Sequence, residues 1–90
     1  MTNKEFLNKS LSLVKEYIEL GAEKDNYAPL KELDEDAIFV VYSCKINLYS
    51  KALICTRYTD EVYFEVNYYA DDDEIYLNVY EKTENQSIKL

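Results

Sequence analysis

The feature that most constrains the fold of this chain is a strict alternation of side chains in two stretches near its C-terminus, residues 62–70 and 75–82. Residues expected to be buried alternate with residues expected to be exposed, which is the period-two pattern of a β-strand with one buried face. The stretches therefore predict two antiparallel strands of one hairpin. The predicted core side carries Val62, Phe64, Val66, Tyr68, Ile75, Leu77 and Val79.

The other side of this hairpin is rich in tyrosine and amide side chains. We place its loop at residues 71–74, and a slip of one residue would turn the apolar side chains into water, so the pattern fixes the two faces. The residues on the polar side are Tyr63, Glu65, Asn67, Tyr69, Tyr76, Asn78 and Tyr80. The predicted cross-strand pairs are Ala70–Ile75, Tyr69–Tyr76, Asn67–Asn78, Glu65–Tyr80, Tyr68–Leu77 and Val66–Val79.

These seven side chains permit two interpretations. Cross-strand tyrosine pairs stabilise an exposed sheet by about 0.2–1 kcal/mol each, which would make the face purely structural. Tyrosine is also enriched among residues that dominate protein interfaces. We predict an interface formed by all seven residues, with self-association as a dimer or a higher oligomer as its most direct use.

The N-terminal segment predicts an amphipathic helix over residues 3–20. Thr2 and Glu5 have the spacing of a capping box. Gly21, the only glycine, stands where a left-handed C-terminal cap would lie. The side chains expected to face the sheet recur at helical spacing: Phe6, Leu7, Ser10, Leu13, Val14, Tyr17 and Leu20.

The middle of the chain supplies a connecting loop at residues 22–36, in which Pro29 could open a short helical turn, and two more strands. Residues 37–46 are apolar on both sides, with Ile38, Val40, Tyr42, Cys44 and Ile46 expected on one face and Phe39 and Val41 on the other. A tight turn at 47–50 leads to a second strand at 51–58, whose weak alternation leaves its inward face open. Residues 86–90 could add an edge strand.

This order of elements predicts an α+β fold of two layers. An N-terminal amphipathic helix packs on a four- to five-stranded antiparallel meander sheet, within a single domain over residues 1–90. A chain of 90 residues buries a thin core, so one domain is the expected limit.

Charge and cysteine usage narrow the function classes. The net charge is −8, which disfavours direct binding to nucleic acids and to anionic membranes. Cys44 and Cys55 lie in apolar runs and are expected to be buried and reduced. There is no secretory signal pattern and no apolar run of membrane-spanning length, so we expect a cytoplasmic location.

The sequence lacks the residues and motifs that are typical of enzyme active sites. It has no histidine for acid–base catalysis near neutral pH. It also lacks a glycine-rich phosphate loop and a nucleophile elbow. Four adjacent carboxylates at residues 71–74 lack the spacing of a calcium loop and fit a solvated hairpin loop better. We therefore predict no enzyme activity, no cofactor and no metal site.

Several runs resemble a group of small proteins of unknown function that occur in phages and prophages of Gram-positive bacteria. The runs are FVVYSCK at 39–45, KAL at 51–53, YFEV at 63–66 and EIYLNVYEK at 74–82. The resemblance covers most of the chain from Asp36 onward and the helix more loosely. It implies no activity and no catalytic residue.

What the resemblance implies is a setting inside a bacterial host cell. The leading hypothesis is a non-enzymatic protein that binds a host protein, with inhibition of antiviral defence as one purpose. A second hypothesis is an oligomeric sponge that sequesters a nucleotide-type small molecule, whose phosphates would need Lys45, Lys51, Arg57 and Lys82. A third is a DNA mimic that presents its carboxylates at duplex-like spacing.

Overall fold

One helix and four strands make up the structure, a computed structural model that describes residues 1–23, 37–57, 61–84 and 86–89. The elements are α1 (Asn3–Glu23), β1 (Ile38–Ile46), β2 (Tyr49–Thr56), β3 (Val62–Tyr69) and β4 (Glu74–Glu81). The strands form one antiparallel sheet in the order β1-β2-β3-β4. The predicted α+β meander is confirmed. Residues 86–89 are not in a strand, so the optional edge strand predicted there is not formed by them.

Helix α1 begins with the predicted capping box. The Glu5 amide donates to Thr2 Oγ1 at 3.1 Å, and the Thr2 amide donates to Glu5 Oε1 at 3.0 Å. The hydrogen bond from the Thr2 backbone amide lowers the pKa of the Glu5 carboxyl. The helix continues through Gly21 to Glu23, so the predicted cap at Gly21 is wrong. A glycine inside a helix costs only about 1 kcal/mol relative to alanine, which does not end a helix anchored by its buried residues.

The helix covers one face of the sheet, the inner face. Its buried residues recur every four positions and are Phe6, Ser10, Val14 and Ile18. They pack with Ile38, Ala52, Ile54, Phe64, Val66 and Tyr68 in one core. The Ser10 hydroxyl donates to the Phe6 carbonyl at 2.7 Å, which satisfies the buried polar group. Ile18 was not in the predicted stripe, whereas Leu20, which was, is half exposed.

Strand β1 contains a β-bulge that the sequence did not indicate. Val40 pairs with Ile54, and Tyr42 pairs with Leu53, so Val41 is the extra residue. One extra residue reverses the alternation that follows it. Ile38 and Val40 face the core, but Tyr42, Cys44 and Ile46 lie on the opposite face. The prediction that put all five on one face is therefore wrong.

The β3–β4 hairpin has the predicted faces but a different register. Tyr69 pairs with Glu74, and each predicted partner is displaced by two residues. The observed pairs are Tyr68–Ile75, Asn67–Tyr76, Val66–Leu77, Glu65–Asn78, Phe64–Val79 and Tyr63–Tyr80. A shift of two residues leaves every side chain on its own face, so the alternation alone cannot detect it.

The turn explains this register. The loop is residues 70–73, in which Asp73 takes a left-handed conformation with φ 50°. Asp tolerates this region because its short side chain can hydrogen-bond locally. The Asp73 carboxylate also accepts a hydrogen bond from the Tyr68 hydroxyl at 3.0 Å. The predicted loop at 71–74 was one residue too late at both ends.

Strand β2 has a definite orientation that the sequence left open. Its buried residues are Ser50, Ala52, Ile54 and Thr56, which alternate with the partly exposed Tyr49, Lys51, Leu53 and Cys55. The turn before it is shorter than predicted, comprising Asn47, with φ 54°, and Leu48.

Two predictions concern residues outside the described part of the chain: most of the connecting loop with its helical turn at Pro29, and the end of the second strand at Tyr58. Within the described part, no helix has both the length and the apolar character needed to cross a membrane.

Candidate functional site: the outer face of the sheet

The face of the sheet opposite α1, here called the outer face, is a lattice of side chains, four from each strand. Directly paired residues share a face, so the pairings define three rows that cross all four strands and two separate pairs at the far end of the sheet. From the turn end the rows are Ile46–Tyr49–Tyr69–Glu74, Cys44–Lys51–Asn67–Tyr76 and Tyr42–Leu53–Glu65–Asn78, and the far-end pairs are Phe39–Cys55 and Tyr63–Tyr80. All seven residues predicted as an interface lie on it.

The outer face is open and aromatic. The exposed fractions are 64% for Ile46, 48% for Tyr42 and 47% for Tyr76, and Phe39 is exposed to a similar degree. No helix or strand among the described residues covers it, because α1 lies on the inner face. Exposed apolar and aromatic side chains gathered on one face are typical of an interaction surface.

A shallow depression of about 510 Å³ lies in this face near the turn end of the sheet, and we call it the tyrosine groove. It is open to solvent. Its lining residues are Tyr49, Glu65, Asn67, Tyr69, Asp72, Tyr76 and Asn78. The lattice explains its position. Asn67 and Asn78 are short side chains that stand among long tyrosines, so they form a floor between raised rings.

A chain of polar contacts crosses the groove. The Tyr49 hydroxyl donates to Asn67 Oδ1, and Asn67 Nδ2 donates to Glu65 Oε1 at 3.1 Å. Glu65 Oε2 lies 3.6 Å from Lys51 Nζ, which in turn lies 6.0 Å from the centre of the Tyr49 ring. Asn67 is therefore satisfied and only 5% exposed, although the face around it is open. This network fixes the floor before any ligand arrives.

Three groups at the groove and its rim have raised pKa values. Burial raises the pKa of the Tyr49 hydroxyl, and the nearby Glu65 carboxylate raises the pKa of Lys51. The hydrogen bond from the Tyr76 hydroxyl to Glu74 raises the pKa of Tyr76. These phenols are hydrogen-bond donors with apolar rings rather than bases, which suits recognition better than proton transfer.

Tyrosine rings contact each other at both ends of the outer face. At the turn end, Tyr69 meets Tyr49 with ring centres 5.0 Å apart and meets the edge of Tyr76 at 5.6 Å. At the far end, Tyr63 and Tyr80 stack at 5.1 Å. The expected contact between Tyr69 and Tyr76 therefore exists, but it is diagonal because of the register. Each of these rings is therefore held in position by contact with a neighbouring ring.

In the acidic run at residues 71–74, some carboxylates accept hydrogen bonds within the hairpin and one lines the tyrosine groove. Asp73 accepts a hydrogen bond from Tyr68, and Glu74 accepts one from Tyr76. Asp72 lines the groove. In the described ranges, no three Asp, Glu or Cys side chains are placed to share a metal ion.

The two cysteines differ from their prediction. Both are free; Cys44 is exposed and Cys55 is partly exposed, and both lie on the outer face. The prediction of two buried thiols is wrong because the bulge at Val41 turns Cys44 outward and because nothing described covers that face. Burial against neighbouring side chains raises the pKa of the Cys55 thiol.

The four cationic residues named for a nucleotide site do not converge. Lys51 stands on the outer face, paired with Glu65. Lys45 pairs with Ser50, whose side chain faces the core, and so lies on the inner side of the sheet. Arg57 and Lys82 follow the ends of β2 and β4, at the opposite end of the sheet from the groove.

Sequence reasoning missed Tyr49 and Asp72 as site residues. Tyr49 fell in the predicted turn, and its strand lacked a clear pattern because the inward residues Ser50 and Ala52 are small. The signal that could have found it is the size contrast at the start of the strand, where Tyr49 and Lys51 are much larger than Ser50 and Ala52. Asp72 belonged to a loop that was read only as a carboxylate run.

Comparison with known proteins gives a family and no function. Residues 7–90 match the model of DUF6275, a family described as a family of unknown function. No curated protein and no solved structure matches the chain.

Proposed function

Because the chain belongs to DUF6275, a family whose function is unknown, we propose a function from its outer face: a small non-enzymatic protein that binds another protein. The observation that carries this proposal is the open aromatic lattice on the face opposite α1. Half-exposed tyrosines with fixed rings supply contact area at a low entropic cost, because each has few rotatable bonds.

The composition of the face fits a protein partner. Tyrosine is among the residues enriched in interfaces relative to the rest of a protein surface. The outer face has three tyrosines at the turn end, two at the far end and Tyr42 on β1, with Asn67 and Asn78 between the two ends. The sixteen side chains of its lattice are fewer than the roughly 20–30 residues that one partner contributes to an interface of standard size, so the face by itself fits a smaller interface.

The setting we propose follows the resemblance noted for the sequence. The protein would be of phage or prophage origin and would act in the cytoplasm of a Gram-positive host, where it binds a host protein and possesses no catalytic activity of its own. Inhibition of antiviral defence is the purpose we assign to that binding. The net charge of −8 favours a partner with a basic surface, since opposite charges speed encounter.

The experiment is affinity capture from Gram-positive host lysate, read by mass spectrometry for proteins and small molecules. The wild type is compared with Tyr69→Ala/Tyr76→Ala at the turn end and Tyr63→Ala/Tyr80→Ala at the far end. Glu16→Ala, an exposed change on α1, is the control. A protein captured by the wild type and the Glu16 variant but lost with either tyrosine pair supports the proposal. Capture that is indifferent to both pairs refutes it.

The same samples address the other hypotheses. A bound small molecule without a protein would favour the nucleotide sponge, although its proposed cationic residues are dispersed over the fold. Competition by duplex DNA for a captured basic protein would favour the DNA mimic. Native mass spectrometry of the wild type and both tyrosine double variants tests self-association: loss of an oligomer in a double variant would make a second copy the occupant of the outer face.

A further inference from the structure

We infer that the tyrosine groove is a receptor for a cationic side chain, most favourably the guanidinium of an arginine on a basic protein partner. This inference rests on the proposed function and names the chemistry that one part of the outer face recognises. It concerns the depression lined by Tyr49, Tyr69 and Tyr76, in which Asn67 and Asn78 form the floor.

The aromatic walls suit a planar cation. The three rings meet at angles of 50° and 78°, so they do not stack into a closed block but leave faces and edges around the depression. A guanidinium or ammonium group above a tyrosine face is attracted by the ring quadrupole, and arginine makes this contact more often than lysine. Arginine also stacks flat against such rings.

The charges around the groove are unbalanced toward the negative. Glu65 and Asp72 line it, and Glu74 lies beside Tyr76. Among the described residues paired on the outer face, Lys51, in contact with Glu65, is the one cation. Three carboxylates thus face one ammonium. An incoming cation therefore finds an attractive site, whereas a phosphate would meet repulsion.

The polar floor leaves suitable acceptors. Asn67 uses its oxygen to accept from Tyr49 and one amide hydrogen to reach Glu65. Within the described ranges, the Asn78 amide and the Asp72 carboxylate have no side-chain partner. The Asn78 oxygen and the Asp72 carboxylate can therefore accept hydrogen bonds from an arginine, whose five N–H groups need several acceptors.

Lys51 shows the same chemistry inside the protein. Its ammonium lies 3.6 Å from Glu65 Oε2 and 6.0 Å from the Tyr49 ring centre, so it already makes, at the rim, the two kinds of contact we assign to the ligand. It competes with an external cation for Glu65. Removing this ammonium should therefore improve binding of a cationic ligand.

The test uses uniformly ¹⁵N-labelled full chain and two capped pentapeptides, Gly-Gly-Arg-Gly-Gly and the same peptide with citrulline. Citrulline keeps the shape and loses the charge. We expect the arginine peptide to shift the side-chain amide signals of Asn67 and Asn78 and the backbone signals of Tyr69 and Tyr76, and the citrulline peptide to leave them unchanged. No shift with arginine, or equal shifts with both, would overturn the inference.

Three variants give the sign of the effect. Asp72→Asn should weaken arginine binding roughly threefold, as expected for one partly exposed charge pair. Lys51→Gln should strengthen it by about twofold on the same grounds. Tyr69→Ala should abolish it, with a dispersed spectrum as the check on folding. Weaker binding of the arginine peptide to Lys51→Gln would contradict the inference, because removing a competing ammonium cannot weaken a cation site.

The outcome separates this inference from the proposed function. If a protein is captured through the tyrosine pairs but the arginine peptide does not bind, the binding module stands and the cation receptor fails. If the arginine peptide binds and no protein is captured, the receptor stands and the proposed function fails. Binding of free arginine or of tetramethylammonium as tightly as the peptide would assign the groove to a small cation and overturn the protein side chain as its occupant.

Discussion

The inner and outer faces of the sheet use the same four strands but remove their side chains from water in different ways. On β3, Phe64 lies under the helix and contacts the edge of Tyr17, with ring centres 5.8 Å apart. Its neighbour Tyr63 points the other way and stacks on the ring of Tyr80. Phe64 is 2% exposed, and Tyr63 is 37% exposed. One face is closed by another layer, and the other is closed only by its own neighbours.

This difference separates stability from recognition. The inner face gains free energy from apolar area removed from water, which depends on the helix staying in place. The outer face keeps its rings half exposed and holds them by hydrogen bonds and ring contacts. The outer-face side chains are therefore held in fixed positions while they remain accessible to a partner. The predictions below test this separation, from the largest expected effect to the smallest.

The largest effect should come from the adjacent pair Phe64→Ala and Tyr63→Ala. Phe64→Ala should lower the free energy of unfolding by about 3–5 kcal/mol, because it leaves a cavity under α1. Tyr63→Ala should lower it by about 0.5–1.5 kcal/mol, the range for one aromatic pair. Urea denaturation monitored by circular dichroism measures both. Comparable losses would show that the outer face is part of the core.

The next effect concerns the two amides of the groove floor. Asn67→Ala should lower the free energy of unfolding by about 1–2 kcal/mol, since it leaves the Tyr49 hydroxyl without its acceptor. Asn78→Ala is the matched control and should change it by less than about 0.5 kcal/mol, as for a surface site. Thermal unfolding distinguishes them, and a larger loss for Asn78 would contradict the described network.

The cysteines test the bulge in β1. Cys44 should react with a disulfide reagent several-fold faster than Cys55, because Cys44 is exposed and the pKa of Cys55 is raised. A raised pKa leaves less thiolate at a given pH, so the rate for Cys55 should rise only at higher pH. Cys44→Ser and Cys55→Ser isolate each thiol. Faster reaction at Cys55 would place Cys44 on the core side and remove the bulge.

The smallest effect is the titration of Tyr76. Glu74→Gln should lower the pKa of Tyr76, because the carboxylate that raises it is lost. The hydrogen bond from Tyr76 to Glu74 stabilises the fold fully below the ordinary tyrosine pKa of 10.0. This stabilisation disappears as the pH rises through the raised pKa of Tyr76. NMR titration of the ring carbons measures the pKa, with Glu81→Gln as the control. An unchanged pKa in Glu74→Gln would rule out the hydrogen bond.

Much of this architecture could be predicted from the sequence, and the two errors within the sheet have one cause. The helix start follows from Thr2 and Glu5, and the faces of β3 and β4 follow from alternation. A period of two cannot reveal a slip of two residues, so the register needed the turn at Asp73. The same period cannot reveal a bulge in β1, where both sides are apolar.

The candidate site was predicted in part for related reasons. Its seven predicted residues share the outer face because β3 and β4 carry a strong pattern. Tyr49 and Lys51, which contact that set, come from β2, where Ser50 and Ala52 weaken the contrast between the two sides. The groove also depends on which side chains stand beside each other across strands. That information lies in the pairing of β2 with β3 and not in either segment alone.

The bulge at Val41 has a consequence for how copies of this chain can meet. An open sheet ends in two strands whose outward N–H and C=O groups invite another strand, and natural proteins interrupt such edges with bulges and charges. The bulge at Val41 interrupts the regular geometry of the edge strand β1, and the other edge strand, β4, has Glu74 and Glu81 at its two ends. Growth of the sheet from chain to chain is thereby discouraged at both margins. A protein with protected edges can expose an aromatic face to water without forming fibres through edge-to-edge strand pairing. Any dimer that it forms should associate through the faces of the sheets rather than through their edges.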